Sequence, residues 1–406
     1  MFKFYSMRIN FQNIDNLKYF ILLLLIILCI LSNVSSTTAD DKKYIQIKSI
    51  PHVGELYFDP DEVRTRLNRG ACYAEDLTSS VNFIKSNKSP PKLVKGMQPA
   101  SDFTMVINNL NSRLLLGGYD TLIEKEKDLI LKWARSDAMR QFEYEDSSRW
   151  WAGYIMLPIT MIAVQLLDHD NKLSAKERKD IDRWFTKLID HFRIGEEIPA
   201  GTAGYQDHEQ RVNNHNTRRN LIAMIWAIRT NDPTLFNRAV DNGYIRFLEN
   251  IKEDGSLYDA NRGNWAMRYT NIHIGAAMFM GEAAAHQGVD LFSLSVKGKT
   301  IHTAVKFMLD AADDESLINR YAVQDIGQIG NGKTPFAGKQ DAYWKKRPGF
   351  ETPIGWIEAY IKRFPNHPNT KRLRKLLTDW PSNGYGALSD YSFGNVSCVY
   401  GVVSAN

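Results

Sequence analysis

Apolar residues recur every three or four positions through most of this chain. From Ser174 a segment opens with Glu177 three places on, and Ile181, Trp184, Phe185, Leu188, Ile189 and Phe192 follow on one face. A serine ahead of an apolar run, with a glutamate at the third helical position, is a capping box, so the pattern predicts an amphipathic helix starting just after Ser174. Leu221, Met224, Ile225 and Ile228 predict another. Leu122, Leu129, Ile130 and Trp133 predict an earlier one, and Ile354, Ile357, Tyr360 and Ile361 a later one. Strand-like alternation is scarce, which makes the chain all-α. A succession of such helices, joined by loops with Gly, Asn and Asp, fits an incomplete (α/α) toroid or barrel. A plain irregular bundle fits the same periodicity, and periodicity alone does not separate the two.

The N-terminus departs from this pattern. Lys3, Arg8 and Lys18 precede an apolar run from Tyr19 to Leu31, and a small polar stretch follows to Ala39. This is the layout of a secretory signal peptide over 1–39, with an apolar core short for a membrane span; the alternative is an uncleaved anchor. Either way the expected location is secreted or periplasmic. A polar, irregular segment is expected over 40–101 and one large helical domain over 102–406, since no Pro/Gly/Ser-rich linker or long charge run divides the chain. Of three cysteines, Cys29 belongs to the leader. Cys72 and Cys398 can form one disulfide in an oxidising compartment or remain two buried thiols.

The formal net charge is +5, of which the leader carries +2. The remaining mild basic bias is compatible with a polyanionic substrate and far from a nucleic-acid-binding signature. A single-chain, monomeric protein is expected.

Two short stretches carry the candidate chemistry. Asn213-Asn214-His215 stands just before a helix predicted to start near Thr217, and Arg262 and Tyr269 flank the turn into a helix carrying Ile272, Ala276 and Phe279. Taken singly, each has a structural reading: an asparagine helix cap, a surface arginine, a core tyrosine. Taken together they offer an amide, an imidazole, a guanidinium and a phenol, which can neutralise a carboxylate and move a proton beside it.

From about Asn108 to Tyr360 the chain resembles the alginate lyases of polysaccharide lyase family 5. The family's Asn-Asn-His before an apolar helix is matched by Asn213-Asn214-His215, and its later Arg, six residues, Tyr, one residue, Asn by Arg262, Tyr269 and Asn271. Flanking positions agree: Asn231-Asp232, Leu235-Phe236 and Ala239-Val240; Asp254-Gly255; Gly288-Val289-Asp290-Leu291; and Trp356-Ile357-Glu358-Ala359-Tyr360. The resemblance implies an (α/α) toroid that cleaves a β-1,4-linked D-uronate polymer, poly-mannuronate above all, by metal-independent β-elimination, with no cofactor. It places Asn214 and Arg262 on the uronate carboxylate and His215 and Tyr269 at the proton transfers, Tyr269 as acid and either Tyr269 or His215 as base. Asn213, Asn271 and Arg149-Trp150-Trp151, which resembles an Arg-x-Trp-Ala element of the family, would bind substrate. The chain departs from the family at Trp265, where arginine is usual, at Thr270, where histidine is usual, and in lacking a Ser-Lys-Tyr-Glu-Gly type lid segment. The alternatives are a glucuronan lyase using the same site, a toroid glycoside hydrolase and a non-catalytic polysaccharide-binding protein.

Other signals point elsewhere less well. Gly327 to Thr334 matches the letters of a phosphate-cradling loop, but Pro335 follows and no strand precedes it, so no nucleotide is expected. His208, His215, His273 and His286 show no metal-ligand spacing, and no metal is expected. A hydrolase would need two facing carboxylates; Asp207, Glu209 and Asp254 are the candidates.

Overall fold

The computed structural model describes residues 45–67, 72, 77–86, 90, 93–94, 98–117, 121–142, 148–196, 212–322, 336, 338–341, 352–379 and 388–401. The leader over 1–39, the loop 327–334 and Asp207, His208 and Glu209 lie outside these residues.

The chain order of the described helices is α1 Pro60–Arg66, α2 Leu77–Ser86, α3 Gln98–Leu115, α4 Thr121–Arg135, α5 Ser148–His169, α6 Ala175–His191, α7 Asn214–Thr230, α8 Pro233–Ala239, α9 Arg246–Glu249, α10 Ala266–His286, α11 Ile301–Asp313, α12 Ser316–Ala322, α13 Trp356–Arg363, α14 Pro368–Asp379 and α15 Val396–Tyr400. A π-helical stretch, Val240–Ile245, joins α8 to α9, and there are two two-residue ladders: parallel β1 Leu93–Val94 with β2 Gln141–Phe142, and antiparallel β3 Ser389–Asp390 with β4 Gly394–Asn395.

The four helices that periodicity predicts are α4, α6, α7 and α13, and the helix expected to carry Ile272, Ala276 and Phe279 is α10. The capping box of α6 is present, with Ser174 Oγ accepting from the Glu177 N–H and the Glu177 carboxylate accepting from the Ser174 N–H. The segment expected to be irregular differs. It carries α1 and α2, and from Ile45 it belongs to the same compact unit as the rest. The overlooked signal is Asp59-Pro60: the aspartate accepts from the N–H groups of Asp61 and Glu62, and proline at the first helical position has no N–H left to satisfy.

Helix contacts alternate between two layers. α3 packs on α5, α5 on α7, α7 on α10 and α10 on α13, forming an inner series, while α4 packs on α6 and α11 on α14 outside it. The inner helices are buried almost all round, as in α10, where every residue from Ala266 to Ala284 is buried. A helix enclosed on all sides loses its polar stripe, which is why α5 and α10 show weaker periodicity than α4 or α6. Aromatic stacking joins the layers, as where Phe103 of α3 lies 3.9 Å from Trp133 of α4 between ring centroids. Among the described residues no helix is long and apolar enough to cross a membrane.

Several sequence motifs are turn chemistry. Asn231, left-handed at φ 56°, ends α7, and Asp232 then caps α8 with Pro233 at its first position. Gly288, at φ 77°, ends α10 in a conformation that side chains disfavour, and Asp290 accepts from the N–H groups of Phe292 and Ser293.

The C-terminal segment joins the first inner helix to the last. β4 packs on α3, where Asn395 donates to Asn108 and Ser112, and α15 packs on α13. Cys72 and Cys398 are bonded, closing a loop across 326 positions. Such a cross-link removes much of the entropy of the unfolded chain. Cys72→Ser is therefore expected to destabilise the protein by about 2–5 kcal/mol, read as a lower urea midpoint by circular dichroism. An unchanged midpoint would count against the pairing.

Candidate active site

α7 and α10 run side by side with their first turns together, and the candidate residues sit on those turns. Asn213 Oδ1 accepts from the His215 N–H at 3.0 Å, so α7 begins at Asn214, three residues before the expected start at Thr217. Asn213 is thus the buried cap, and its carbonyl oxygen is engaged within the helix. Arg262 lies between two 3-10 turns, Tyr258–Asn261 and Gly263–Trp265. Gly263, at φ 55°, lets the chain reverse directly after the arginine. Tyr269 follows in the first turn of α10, with the Arg262 guanidinium 4.6 Å from its ring centroid.

A buried carboxylate that the sequence reading did not single out holds these pieces together. Asp259 accepts from Asn214 N (3.1 Å), Asn214 Nδ2 (2.7 Å) and His273 Nδ1 (2.8 Å), while His273 Nε2 meets Thr217 Oγ1 at 2.7 Å. Burial alone would raise the Asp259 pKa. The hydrogen bond and charge of His273, the Asn214 amide and Arg262 outweigh it and hold the carboxyl below its ordinary range. Because Asp259 takes one N–H of the Asn214 amide, the second N–H is left for another acceptor.

His215 is half-buried beside Tyr154 of α5, with ring centroids 5.6 Å apart. Burial, then the Arg262 and Arg218 guanidiniums, push its pKa down to about 3, so it is a neutral imidazole at neutral pH and can accept a proton. Arg218, one turn along α7, lies over both Tyr154 (5.3 Å) and Tyr391 (5.6 Å), and Arg268 donates to the Tyr391 hydroxyl. Asp390, next to Tyr391, is buried, which raises its pKa to about 7 against the pull of the Ser392 N–H and Arg218. The cluster thus combines several guanidiniums with two helix N-termini, an environment suited to an anion.

Asn214, His215, Arg262 and Tyr269 therefore converge. Asn271, also expected to contact substrate, sits within the packing of α10. It is fully buried, donates to Met267 O and accepts from Trp356 Nε1 at 3.2 Å, so it positions α13 against α10. Thr270 is also fully buried, which places that departure in the core, whereas Trp265 is 37% exposed and stacks at 5.9 Å on Tyr269. Arg149, Trp150 and Trp151 occupy the first turn of α5, and their side chains lie outside the described residues. Asp254, a candidate hydrolase carboxylate, is tied to Arg320 and Tyr321.

Helix geometry carried some of the missed signal. Arg218 is four residues after Asn214 and His273 four after Tyr269, so each shares a face with a candidate residue. Asp259 had no such cue, because its partners lie 45 and 14 positions away.

Three outcomes follow from the buried charges. Asp259→Ala removes the acceptor shared by Asn214 and His273 and is expected to cost about 3–5 kcal/mol in urea unfolding, together with most activity. His215 binds its proton in the unfolded chain near pH 6.5 but in the folded one only near pH 3, so it withdraws stability as pH falls between them. His215→Asn should gain thermal stability relative to the parent over that fall. Asp390 works in the opposite sense, withdrawing stability as pH rises from about 3.8 to about 7, and Asp390→Asn should gain over that rise. Parallel pH trends for parent and variant would contradict either assignment.

Comparison with known proteins gives the family and the fold. The alginate lyase family model matches residues 84–318. Among solved structures, alginate lyase A1-III with a tyrosine-to-phenylalanine substitution, complexed with tetrasaccharide, superposes at a TM-score of 0.68 with 18% identity, covering 88% of this chain and 98% of that one. Alginate lyase A1-III from Sphingomonas species A1 gives 0.67 and 18%, covering 87% and 97%. An alginate lyase from Bacteroides ovatus gives 0.54 and 16%, covering 76% and 75%. No curated protein sequence matches. The fold is the α/α toroid of these structures, and the chain belongs to the alginate lyase family of polysaccharide lyases.

Proposed function

We propose that this protein cleaves β-1,4-linked D-mannuronate in alginate by β-elimination that needs no metal ion. The observation that carries the reading is the convergence of Arg262, Tyr269, Asn214 and His215 at the paired first turns of α7 and α10. The proton on C5 of a uronate becomes labile only when negative charge can spread into the adjoining carboxylate. Arg262 and the second amide N–H of Asn214 take that carboxylate, doing electrostatically what a metal ion does elsewhere. A base removes the C5 proton, the C–H electron pair forms the C4=C5 double bond, the C4–O4 bond breaks, and O4 leaves with a proton from the acid. In mannuronate the C5 hydrogen and O4 lie on one side of the ring, so one phenol can serve both steps. Tyr269 is that group, and neutral His215 assists or accepts the C5 proton.

Trp265 adds a subsite. An exposed indole stacked beside the reacting tyrosine offers a flat apolar face to a sugar ring where the family usually places a guanidinium. The protein acts outside the cytoplasm, a reading supported by the leader-like N-terminus and the Cys72–Cys398 bond.

The test is incubation with mannuronan, guluronan and glucuronan. Ultraviolet absorbance from the new double bond is expected with mannuronan foremost. Absorbance with glucuronan instead would transfer the site to that polymer, reducing ends without absorbance would mark a hydrolase, and neither signal a binding protein. Tyr269→Phe should lower kcat by at least about 100-fold with substrate binding little changed. Ordinary turnover in that variant would sink the mechanism.

A further inference from the structure

The far end of α10 carries a second cluster. His286 is the last residue of the helix, and a turn near the start of the described chain brings His52 and Glu55 against it. His286 Nε2 lies 2.9 Å from Glu55 Oε2, His52 Nδ1 lies 3.8 Å from the same oxygen, and the three ligand atoms fall within 4.8 Å of one another. The two imidazole rings are tilted by 33° with centroids 5.0 Å apart.

We propose that His52, Glu55 and His286 form a binding site for one divalent transition-metal ion of the zinc class. Two imidazoles and one carboxylate suit zinc and its neighbours rather than magnesium or calcium, which prefer oxygen donors. Ligand bonds of about 2.0–2.1 Å around a tetrahedral ion separate the donor atoms by about 3.3 Å, and the two measured separations straddle that value. Small rotations about side-chain bonds bring the three atoms to it. The fourth position is open to water, because His52 is exposed and the other two are half-buried.

The backbone beneath the cluster is held in place. Gln287, the next residue after His286, accepts from the His52 N–H at 2.9 Å and donates to the carbonyls of His52 (3.3 Å) and Glu55 (2.9 Å). Gly54 N–H donates to Ile228 O, tying the turn to the end of α7 as well. A turn so fixed presents its two donors to His286 before any ion arrives, which lowers the ordering cost of binding. Linear spacing hides the site, since its residues stand three and more than two hundred positions apart.

His286 stands seventeen positions along the helix from Tyr269, about 25 Å at 1.5 Å per residue. The ion therefore takes no part in the elimination. It fastens the N-proximal turn to the trailing end of the helix that carries Tyr269.

The experiment is calorimetric titration of chelator-treated, full-chain protein with zinc, alongside cobalt followed by its visible absorption and magnesium as a control. One saturable zinc ion per chain is expected, with a tetrahedral cobalt spectrum and a higher Tm. His52→Ala and His286→Gln should each weaken binding by more than about tenfold while leaving the circular dichroism spectrum unchanged, and Gln287→Ala should weaken it less. No saturable binding, binding that survives both histidine substitutions, or equal affinity for magnesium would overturn the proposal and leave a Glu55–His286 ion pair.

Discussion

The arrangement at the active end of this protein depends on one buried carboxylate. Asp259 is fully enclosed and accepts three hydrogen bonds, two from Asn214 and one from His273, so it locks the first turn of α7 to the turn that leads into α10. A desolvated negative charge is tolerable only when such partners surround it, and the partners are in turn held by the charge. Helix α7 supplies an amide and an imidazole, the loop after Asp259 supplies Arg262, and α10 supplies Tyr269. The common acceptor fixes the starts of these two packed helices relative to each other.

How much of this was legible in the sequence depended on the range of each signal. The amphipathic outer helices α4 and α6 were readable because one face meets water and one meets the core, and Ser174 with Glu177 marked a helix start by purely local hydrogen bonding. Asn231, Asp232 and Gly288 were readable as motif positions for the same reason, since each satisfies backbone groups within a few residues. Enclosed helices such as α5 offer no polar face to break the pattern, and α1 was overlooked although Asp59-Pro60 announces it. Asp259 and the His52, Glu55 and His286 cluster exist only through folding, which brings distant positions together.

The departures from the family pattern also divide by location. Thr270, like the family-matching Asn271 beside it, is an interior residue of α10, so its identity answers to packing. Trp265 reaches solvent on the turn before the helix and stacks on Tyr269. Substitution at a buried position is limited by shape, whereas an exposed residue beside the candidate tyrosine can change what lies on it without disturbing the fold. The pH linkages of His215 and Asp390 belong to the same economy. One imidazole is kept neutral and one carboxyl is held near neutrality by enclosure, and their opposing effects partly cancel over the mildly acidic range.

The Cys72–Cys398 bond has a consequence for resistance to proteolysis. It embraces nearly all of the described helices, including both turns of the candidate site. A protease that cuts an exposed loop anywhere between the two cysteines leaves two fragments still covalently joined, each seated against the other by the layered helices. Nicking becomes an internal break rather than a dissociation, and the paired turns around Asp259 can stay assembled after the chain is no longer continuous.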